Sequence, residues 1–175
     1  MYNNIFNAYK EFNIYGINIT ALGDLDKELG DELRALKRKE IDFPFKIIRQ
    51  IRNYINNKKI DVLLYIPSNR NKNIMNIFSD YISEEFGIKK LSIIKIKKYI
   101  KEQKFLDTLK ERRENIKDAF EITDYEILEN KNILLIDDVY ASGETIKEII
   151  KIFKQFKFNY NLEILVFCFR NHIFN

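Results

Sequence analysis

Two adjacent carboxylates beside a loop of small residues are the part of this chain best suited to chemistry. Asp137 and Asp138 end an apolar run, residues 132–136, and the loop of residues 140–145 follows them. Backbone N–H groups of this loop and of the helix that it opens can bind a phosphate, which Gly143 allows to approach closely. The two carboxylates can accept hydrogen bonds from sugar hydroxyls or hold Mg2+ through oxygen. Together these features describe a site for a ribose 5-phosphate.

Other interpretations of the same segment exist and are weaker. An apolar run that ends in two Asp residues can be a strand end in water, with one Asp capping a helix. A Walker B strand also ends in acids, but the chain has no GxxxxGK[ST] segment to hold a triphosphate. A receiver domain has its acid pair near the first strand, whereas this pair follows the third strand candidate. The small-residue loop and the helix start therefore favour a phosphate site.

Strand and helix patterns alternate from residue 60 onward, which predicts an α/β domain with a parallel sheet. The strand candidates are nearly continuous apolar runs, as expected of strands that are buried on both faces. We expect strands at residues 60–66, 91–96, 132–136 and 162–169, and helices at residues 71–86 and 143–157.

Three loops follow the predicted strands, at residues 67–73, 97–118 and 137–145. Ligands of parallel sheets bind beyond the carboxyl ends of the strands, so we expect these loops to meet in one crevice. Residues 89–118 contain eleven Lys or Arg residues against five Asp or Glu residues. A solvated helix face, an anion site and a nucleic-acid patch are all compatible with this basic segment, because the whole chain carries a net charge of only +4.

The first third of the chain has a different pattern. Residues 1–20 predict an irregular or short-strand lead-in, and apolar spacing predicts helices at about residues 24–39 and 44–57. We therefore expect a single domain over residues 1–175, with a helical hood or appendage at residues 1–58 and an α/β core at residues 59–175.

Composition excludes several classes of protein. With 175 residues, 46% of them hydrophobic and 14% aromatic, the chain can bury a core and is not disordered. A single cysteine excludes a disulfide framework and a CxxC zinc module. No apolar run is long enough to span a bilayer, and the N-terminus does not have the pattern of a signal peptide. These features predict a cytoplasmic protein without a membrane span.

The segment NILLIDDVYASGET resembles the phosphoribosyl diphosphate (PRPP) signature of type I phosphoribosyltransferases. In that signature an apolar run and two acids precede a small-residue loop that contains Gly and Thr. Further residues resemble the competence protein F (ComF) group of this superfamily. They are Gln103, Lys104, Arg112, Asn115, Ala119, Phe120 and Tyr140, with a weaker echo at Leu36 and Lys37.

The resemblance implies a set of PRPP-binding residues. In the family the two acids contact the ribose hydroxyls and the loop after them binds the 5-phosphate. Carried over to this chain, the PRPP-binding residues are Asp137, Asp138, Val139, Tyr140, Ala141, Ser142, Gly143, Glu144 and Thr145.

The resemblance also implies two loops around the diphosphate. The pyrophosphate loop corresponds to Pro67, Ser68, Asn69 and Arg70. The flexible loop includes Lys97 and Lys98, which with Arg70 form the expected catalytic set. Its further members are Lys101, Gln103, Lys104 and Arg112, although Arg112 and Asn115 can instead fix the base of the loop.

The reaction implied is displacement of pyrophosphate from C1 of PRPP by a nitrogen nucleophile, with a nucleobase or another amine as acceptor and Mg2+ as cofactor. Ala141 matches adenine-type members, whereas hypoxanthine–guanine-type members have an acid there. The helices of residues 1–58 can form a hood over the nucleobase or a homodimer face. Two alternatives are a non-catalytic PRPP- or nucleotide-sensing module and a DNA-uptake accessory protein with a competence or DNA-processing partner.

Overall fold

The fold is an α/β arrangement built on a six-stranded sheet. The computed structural model describes residues 7–68, 74–102 and 105–171. Its strands and helices are, in chain order, β1 (Lys10–Ile14), β2 (Ile17–Asp24), α1 (Glu28–Lys37), α2 (Phe45–Ile55), β3 (Val62–Tyr65), α3 (Ile74–Phe86), β4 (Lys89–Lys90), β5 (Ile94–Ile96), α4 (Leu109–Ile116), β6 (Phe120–Ile122), β7 (Asn132–Tyr140), α5 (Glu144–Phe153) and β8 (Asn161–Phe169).

The main sheet has the strand order β1-β2-β8-β7-β3-β4. Only β1 and β2 are antiparallel, and every other neighbouring pair is parallel. A second, two-stranded antiparallel sheet joins β5 to β6. The prediction of an α/β fold with a parallel sheet is therefore confirmed.

The two central strands are buried on both faces, which explains their continuous apolar sequences. Successive residues of β7 alternate between two hydrophobic clusters. Leu135 points to the cluster that contains Ile149 of α5, and Leu134 points to the cluster that contains Ile51 of α2 and Phe78 of α3. The sheet thus has α5 on one face and α1, α2 and α3 on the other.

The two helices predicted before residue 59 are present, but the lead-in ahead of them is more regular than expected. Strands β1 and β2 form a hairpin there, and β2 pairs in parallel with β8 in the main sheet. Tyr15 and Gly16 form the turn with φ values of 50° and 85°, as a two-residue hairpin requires. The first five residues of INITALGD alternate between apolar and polar, but the run lacks the apolar continuity of the other long strands of the sheet.

Two further elements differ from the predictions. The strand expected at residues 91–96 does not join the parallel sheet. Its residues Ile94–Ile96 pair antiparallel with β6, and the short strand β4 forms the edge of the main sheet beside β3. The helix expected from about residue 24 begins later, at Glu28, because the chain remains in β2 as far as Asp24. In the described residues no helix has both the length and the apolar character needed to cross a membrane.

The Asp24 carboxylate fastens the end of β2 to its surroundings. Its Oδ1 accepts the backbone N–H of Asp26 at 2.9 Å, and its Oδ2 accepts the Tyr9 hydroxyl at 3.0 Å and the Asn171 amide at 2.8 Å. These bonds, first among them the Asp26 N–H, hold the pKa of Asp24 below its ordinary value of 3.8.

We therefore predict that Asp24→Asn lowers stability in a pH-dependent manner. A depressed pKa in the folded state stabilises the fold above the unfolded pKa, and this contribution is lost as the pH falls through the folded pKa. Thermal unfolding should show a midpoint a few degrees below wild type at neutral pH, and the difference should shrink in acid. Asp26→Asn, at an exposed position, is the control. A loss of thermal stability that does not depend on pH would contradict a stabilising role of the Asp24 charge.

Candidate functional site

A cavity of about 330 Å3 lies at the carboxyl ends of β3 and β7. It brings together described parts of all three loops that were expected to meet. The residues that line it include Lys37, Pro67, Ser68, Lys101, Glu102, Asp137, Asp138, Val139, Tyr140, Ala141, Ser142, Gly143 and Thr145. Strand β7 extends to Tyr140. The acid pair therefore lies within the part of β7 that pairs with β8, and not beyond the end of the strand.

The two carboxylates of the cavity have unequal environments. Asp137 is buried, and its Oδ1 accepts the backbone N–H of Asp138 at 2.9 Å. Burial, and then the neighbouring charge of Asp138, raise the pKa of Asp137 well above its ordinary value. Asp138 is partly exposed, and its Oδ2 lies 2.5 Å from Nζ of Lys37. The cavity therefore contains two adjacent carboxyl groups, of which the more exposed one is paired with a lysine.

The loop after β7 has a conformation that depends on glycine. Gly143 has φ 75° and ψ 0° and is the N-cap of α5. A Cβ at this position would overlap the phenol ring of Tyr140. That ring stacks on Phe169 at a centroid distance of 5.3 Å and meets Phe12 edge-on at 4.9 Å, so it cannot move aside easily. The loop is thus held close to the N-terminus of α5, where the first backbone N–H groups of a helix have no acceptor within the helix and suit an anion.

Glu144 is the residue of the small-residue loop that does not line the cavity. Its buried carboxylate lies 3.0 Å from Nζ of Lys147 and 3.4 Å from Nε of Arg113. The Arg113 contact connects α4 to the start of α5. Glu144 therefore joins two elements of the site, and its charge is balanced before any anion approaches the loop.

Lys101 reaches the cavity on a segment that Asn115 fixes in place. The Asn115 side chain accepts the backbone N–H of Lys101 at 2.9 Å and donates to the Lys101 carbonyl, also at 2.9 Å. Arg112 is buried and donates to the carbonyl of Leu106 at 3.1 and 2.9 Å. Both residues thus fix the base of the loop, which is the alternative that the sequence left open for them.

Lys97 and Lys98 do not line this cavity. Lys98 donates to the carbonyl of Glu114 at 3.2 Å, and Lys97 lines a separate groove of about 720 Å3 beside Tyr125. The remaining predicted residues Asn69, Arg70, Gln103 and Lys104 lie outside the described residues. Lys37 was not predicted as a site residue, because its contact with Asp138 joins distant parts of the chain and the only sequence signal there was the weak echo at Leu36 and Lys37.

The acid pair is a candidate place for a divalent cation. Among residues 7–68, 74–102 and 105–171 no group of three or more His, Cys, Asp or Glu side chains could hold a metal ion. Mg2+, however, commonly binds through one or two carboxylates together with substrate phosphates. Asp137 and Asp138 fit that partial role and could not form a complete protein site.

Residues 45–172 match the model of the phosphoribosyl transferase domain. The chain belongs to this family. The prediction of a phosphoribosyltransferase is confirmed at that level, and the resemblance to the type I superfamily with it. The match is to the broad family, so the narrower resemblance to ComF proteins stays a prediction.

Solved structures of known phosphoribosyltransferases resemble the chain only distantly. Adenine phosphoribosyltransferase from Thermoanaerobacter pseudethanolicus is 14% identical over 95% of both chains, with a TM-score of 0.48. The Saccharomyces cerevisiae enzyme is 17% identical over 95% of this chain and 83% of its own, with a TM-score of 0.47. The glutamine PRPP amidotransferase of B. subtilis is 14% identical over 69% of this chain, with a TM-score of 0.43, and the chain spans only 24% of its length. No curated protein matches the sequence.

The contact between Gly143 and Tyr140 predicts a specific loss of stability. Gly143→Ala should lower the free energy of unfolding by about 1–2 kcal/mol for the left-handed backbone, plus a further penalty for the overlap with Tyr140. Gly87→Ala is the matched control, because Gly87 also has a positive φ of 63° but its Cβ would meet no atom within 4 Å. Urea unfolding of both variants measures the difference, and equal losses would show that Tyr140 does not restrict the loop.

Proposed function

We propose that this phosphoribosyltransferase binds PRPP with Mg2+ and transfers the phosphoribosyl group to a nitrogen nucleophile, with a nucleobase as the expected acceptor. The observation that most supports the proposal is the position of the acid pair next to the Gly143 loop in one cavity. PRPP has a ribose diol and a 5-phosphate on the same sugar, so one ligand can engage both features.

Each half of the site suits one half of the phosphorylated sugar. Asp137 and Asp138 would accept hydrogen bonds from the ribose hydroxyls. The backbone N–H groups of residues 140–145 would donate to the 5-phosphate, helped by the positive end of the α5 dipole. The hydroxyls of Ser142 and Thr145 add donors at the same place.

The diphosphate would lie towards Pro67 and Ser68, which line the cavity at the end of the neighbouring strand β3. Lys101 offers a positive charge there, and the resemblance adds Arg70 from the same loop as Ser68. Mg2+, when bound, would neutralise part of the diphosphate charge. These groups stabilise the charge that develops on the leaving group, which is where such a reaction needs the protein most.

The transfer itself breaks the bond between C1 and the diphosphate oxygen, whose electron pair leaves with pyrophosphate. A lone pair of the acceptor nitrogen forms the new bond to C1, and the nitrogen then loses its proton. Ala141 cannot take that proton, since it has no ionisable group. Catalysis by this chain would therefore depend on orientation, on charge stabilisation and on exclusion of water, without a covalent intermediate on the protein.

Replacing both acids tests the site. We expect Asp137→Asn with Asp138→Asn to weaken PRPP binding by at least about 100-fold in calorimetric titration, because both acceptors for the ribose hydroxyls are weakened. The fold should survive, since burial already disfavours the charged form of Asp137. Asp26→Asn with Asp42→Asn replaces two exposed aspartates by the same residue type and is the control. Unchanged PRPP affinity in the cavity double variant would refute the site.

A screen of nucleobases for pyrophosphate release separates the proposed activity from its alternatives. Release with one base identifies the acceptor. Binding of PRPP without release for any base or amine would favour the sensing module. Tight, salt-dependent binding of single-stranded DNA would favour the DNA-uptake alternative. A competence partner remains a prediction from the resemblance, a homodimer one from the N-terminal helices, and a cytoplasmic location one from the composition.

The Asn115 contact predicts a further effect on affinity. Asn115→Ala removes both bonds to the Lys101 backbone, so the lysine is no longer held at the cavity. We expect PRPP affinity to fall about three- to tenfold, and limited proteolysis within residues 97–108 to become faster. Glu114→Ala, next to it on α4, is the control, because Lys98 contacts only its backbone carbonyl. Equal affinities in the two variants would contradict the role of Asn115.

A further inference from the structure

Lys37 combines features that no other described residue of the cavity has. It lines the cavity, contacts one of the two acids and belongs to α1, which precedes the residues that match the family model. Among the described residues, the only other cation that lines the cavity is Lys101. A ligand with several phosphates would therefore find few fixed positive charges, and Lys37 is one of them.

The position of Lys37 is fixed by the packing of its helix. Leu33, one turn earlier on the same face, is 1% exposed, and Leu36 is also buried. Gly30 lies so close to the carbonyl of Leu25 that a Cβ there would overlap it, and Arg34 donates to the same carbonyl at 2.8 Å. Helix α1 thus rests firmly against the end of β2, and its last residue points to the acid pair.

The Lys37–Asp138 pair is only partly buried, with 27% and 26% of the two side chains exposed. Both ends are accessible from the cavity, and an ion pair that is partly solvated exchanges partners at small energetic cost. The Asp138 carboxylate is also the group that would accept a ribose hydroxyl. A ligand that engages Asp138 must therefore compete with Lys37 for it.

We propose that Lys37 is an exchangeable counterion: it pairs with Asp138 before the ligand arrives and passes to the diphosphate when Asp138 binds the ribose hydroxyls. This inference rests on the proposed function, because it assumes a phosphorylated sugar with a diphosphate at C1. The exchange gives the lysine an anionic partner with and without ligand, while the ribose hydroxyls donate hydrogen bonds to the Asp138 carboxylate. It also favours ligands that have both a diol and a diphosphate over ligands that have only one of them.

The test compares three ligands on matched variants. Calorimetry at constant Mg2+ would measure PRPP, ribose 5-phosphate and inorganic pyrophosphate on wild type, Lys37→Met, Lys37→Gln and Lys37→Arg. Lys39→Met, at an exposed lysine just beyond α1, is the control for the loss of one charge. Thermal midpoints of all variants check that each is folded, and the Gln variant replaces the Met variant if the latter is not.

We expect both neutral variants to bind PRPP and pyrophosphate about tenfold or more weakly, as a lost charged hydrogen bond predicts. Ribose 5-phosphate should bind equally well or more tightly, because Asp138 no longer has a competing partner. Lys37→Arg and Lys39→Met should stay within about threefold of wild type. Equal losses for ribose 5-phosphate and PRPP would overturn the exchange and leave Lys37 as a residue that only positions Asp138.

The outcomes also separate this inference from the proposed function. If wild type binds PRPP and the neutral variants bind it equally well, the exchange fails and the function stands. If wild type binds pyrophosphate through Lys37 but does not bind PRPP, the function fails and the diphosphate contact stands. A wild-type protein that binds neither ligand overturns both.

Discussion

Two adjacent carboxylates near the end of a buried strand are the constraint on which the rest of the site depends. Water cannot fully solvate Asp137, and the charge of Asp138 beside it adds repulsion. A protein keeps such a pair only if nearby groups compensate for it. Here the Asp138 N–H and the ammonium of Lys37 do so. A ligand that enters the cavity must replace these interactions, so hydroxyl donors and cations are favoured.

Sheet topology explains why the acid pair meets the loop after β3. Strands β3 and β7 are parallel neighbours, with Tyr65 opposite Ile136, and the N–H of Ile66 donates to the Ile136 carbonyl at 3.1 Å. Continued by two residues, the register brings Ile66 level with Asp137 and Pro67 level with Asp138 in the adjacent strand. The proximity of these two loops follows from backbone pairing and would survive most changes of surface side chains.

The sequence predicted the parts of the fold whose residues are buried on both sides. The runs around Leu134 and Leu165 are apolar because helices cover both faces, and such runs identify strands well. Strand β2 was missed because its exposed start and its mixed composition lack that continuity. Residues 91–96 have the apolar character of a strand, but apolar character alone does not distinguish a parallel from an antiparallel partner.

The candidate site was predictable to the extent that its residues are consecutive in sequence. The acid pair and the Gly143 loop form one segment, and the structure places them in one cavity. Lys97 and Lys98 lie in the expected basic segment, yet the backbone directs them elsewhere, which charge counting cannot reveal. The position of Lys37 in the cavity depends on how α1 packs against the sheet. That packing is a tertiary property with only a weak signal in the sequence.

The N-terminal hairpin and α1 are therefore part of the site's construction, although the family match begins only at residue 45. Phe12 of β1 packs against Tyr140, the ring that restricts the Gly143 loop. Strand β2 covers the edge of β8, which would otherwise leave the backbone groups of a long buried strand unpaired. Lys37 is the last residue of α1, the helix that comes after this hairpin in the chain. The same segment that completes the sheet therefore also supplies the charge that contacts the acid pair. The residues before the matched region thus contribute both to the pairing of the sheet and to the charge of the cavity.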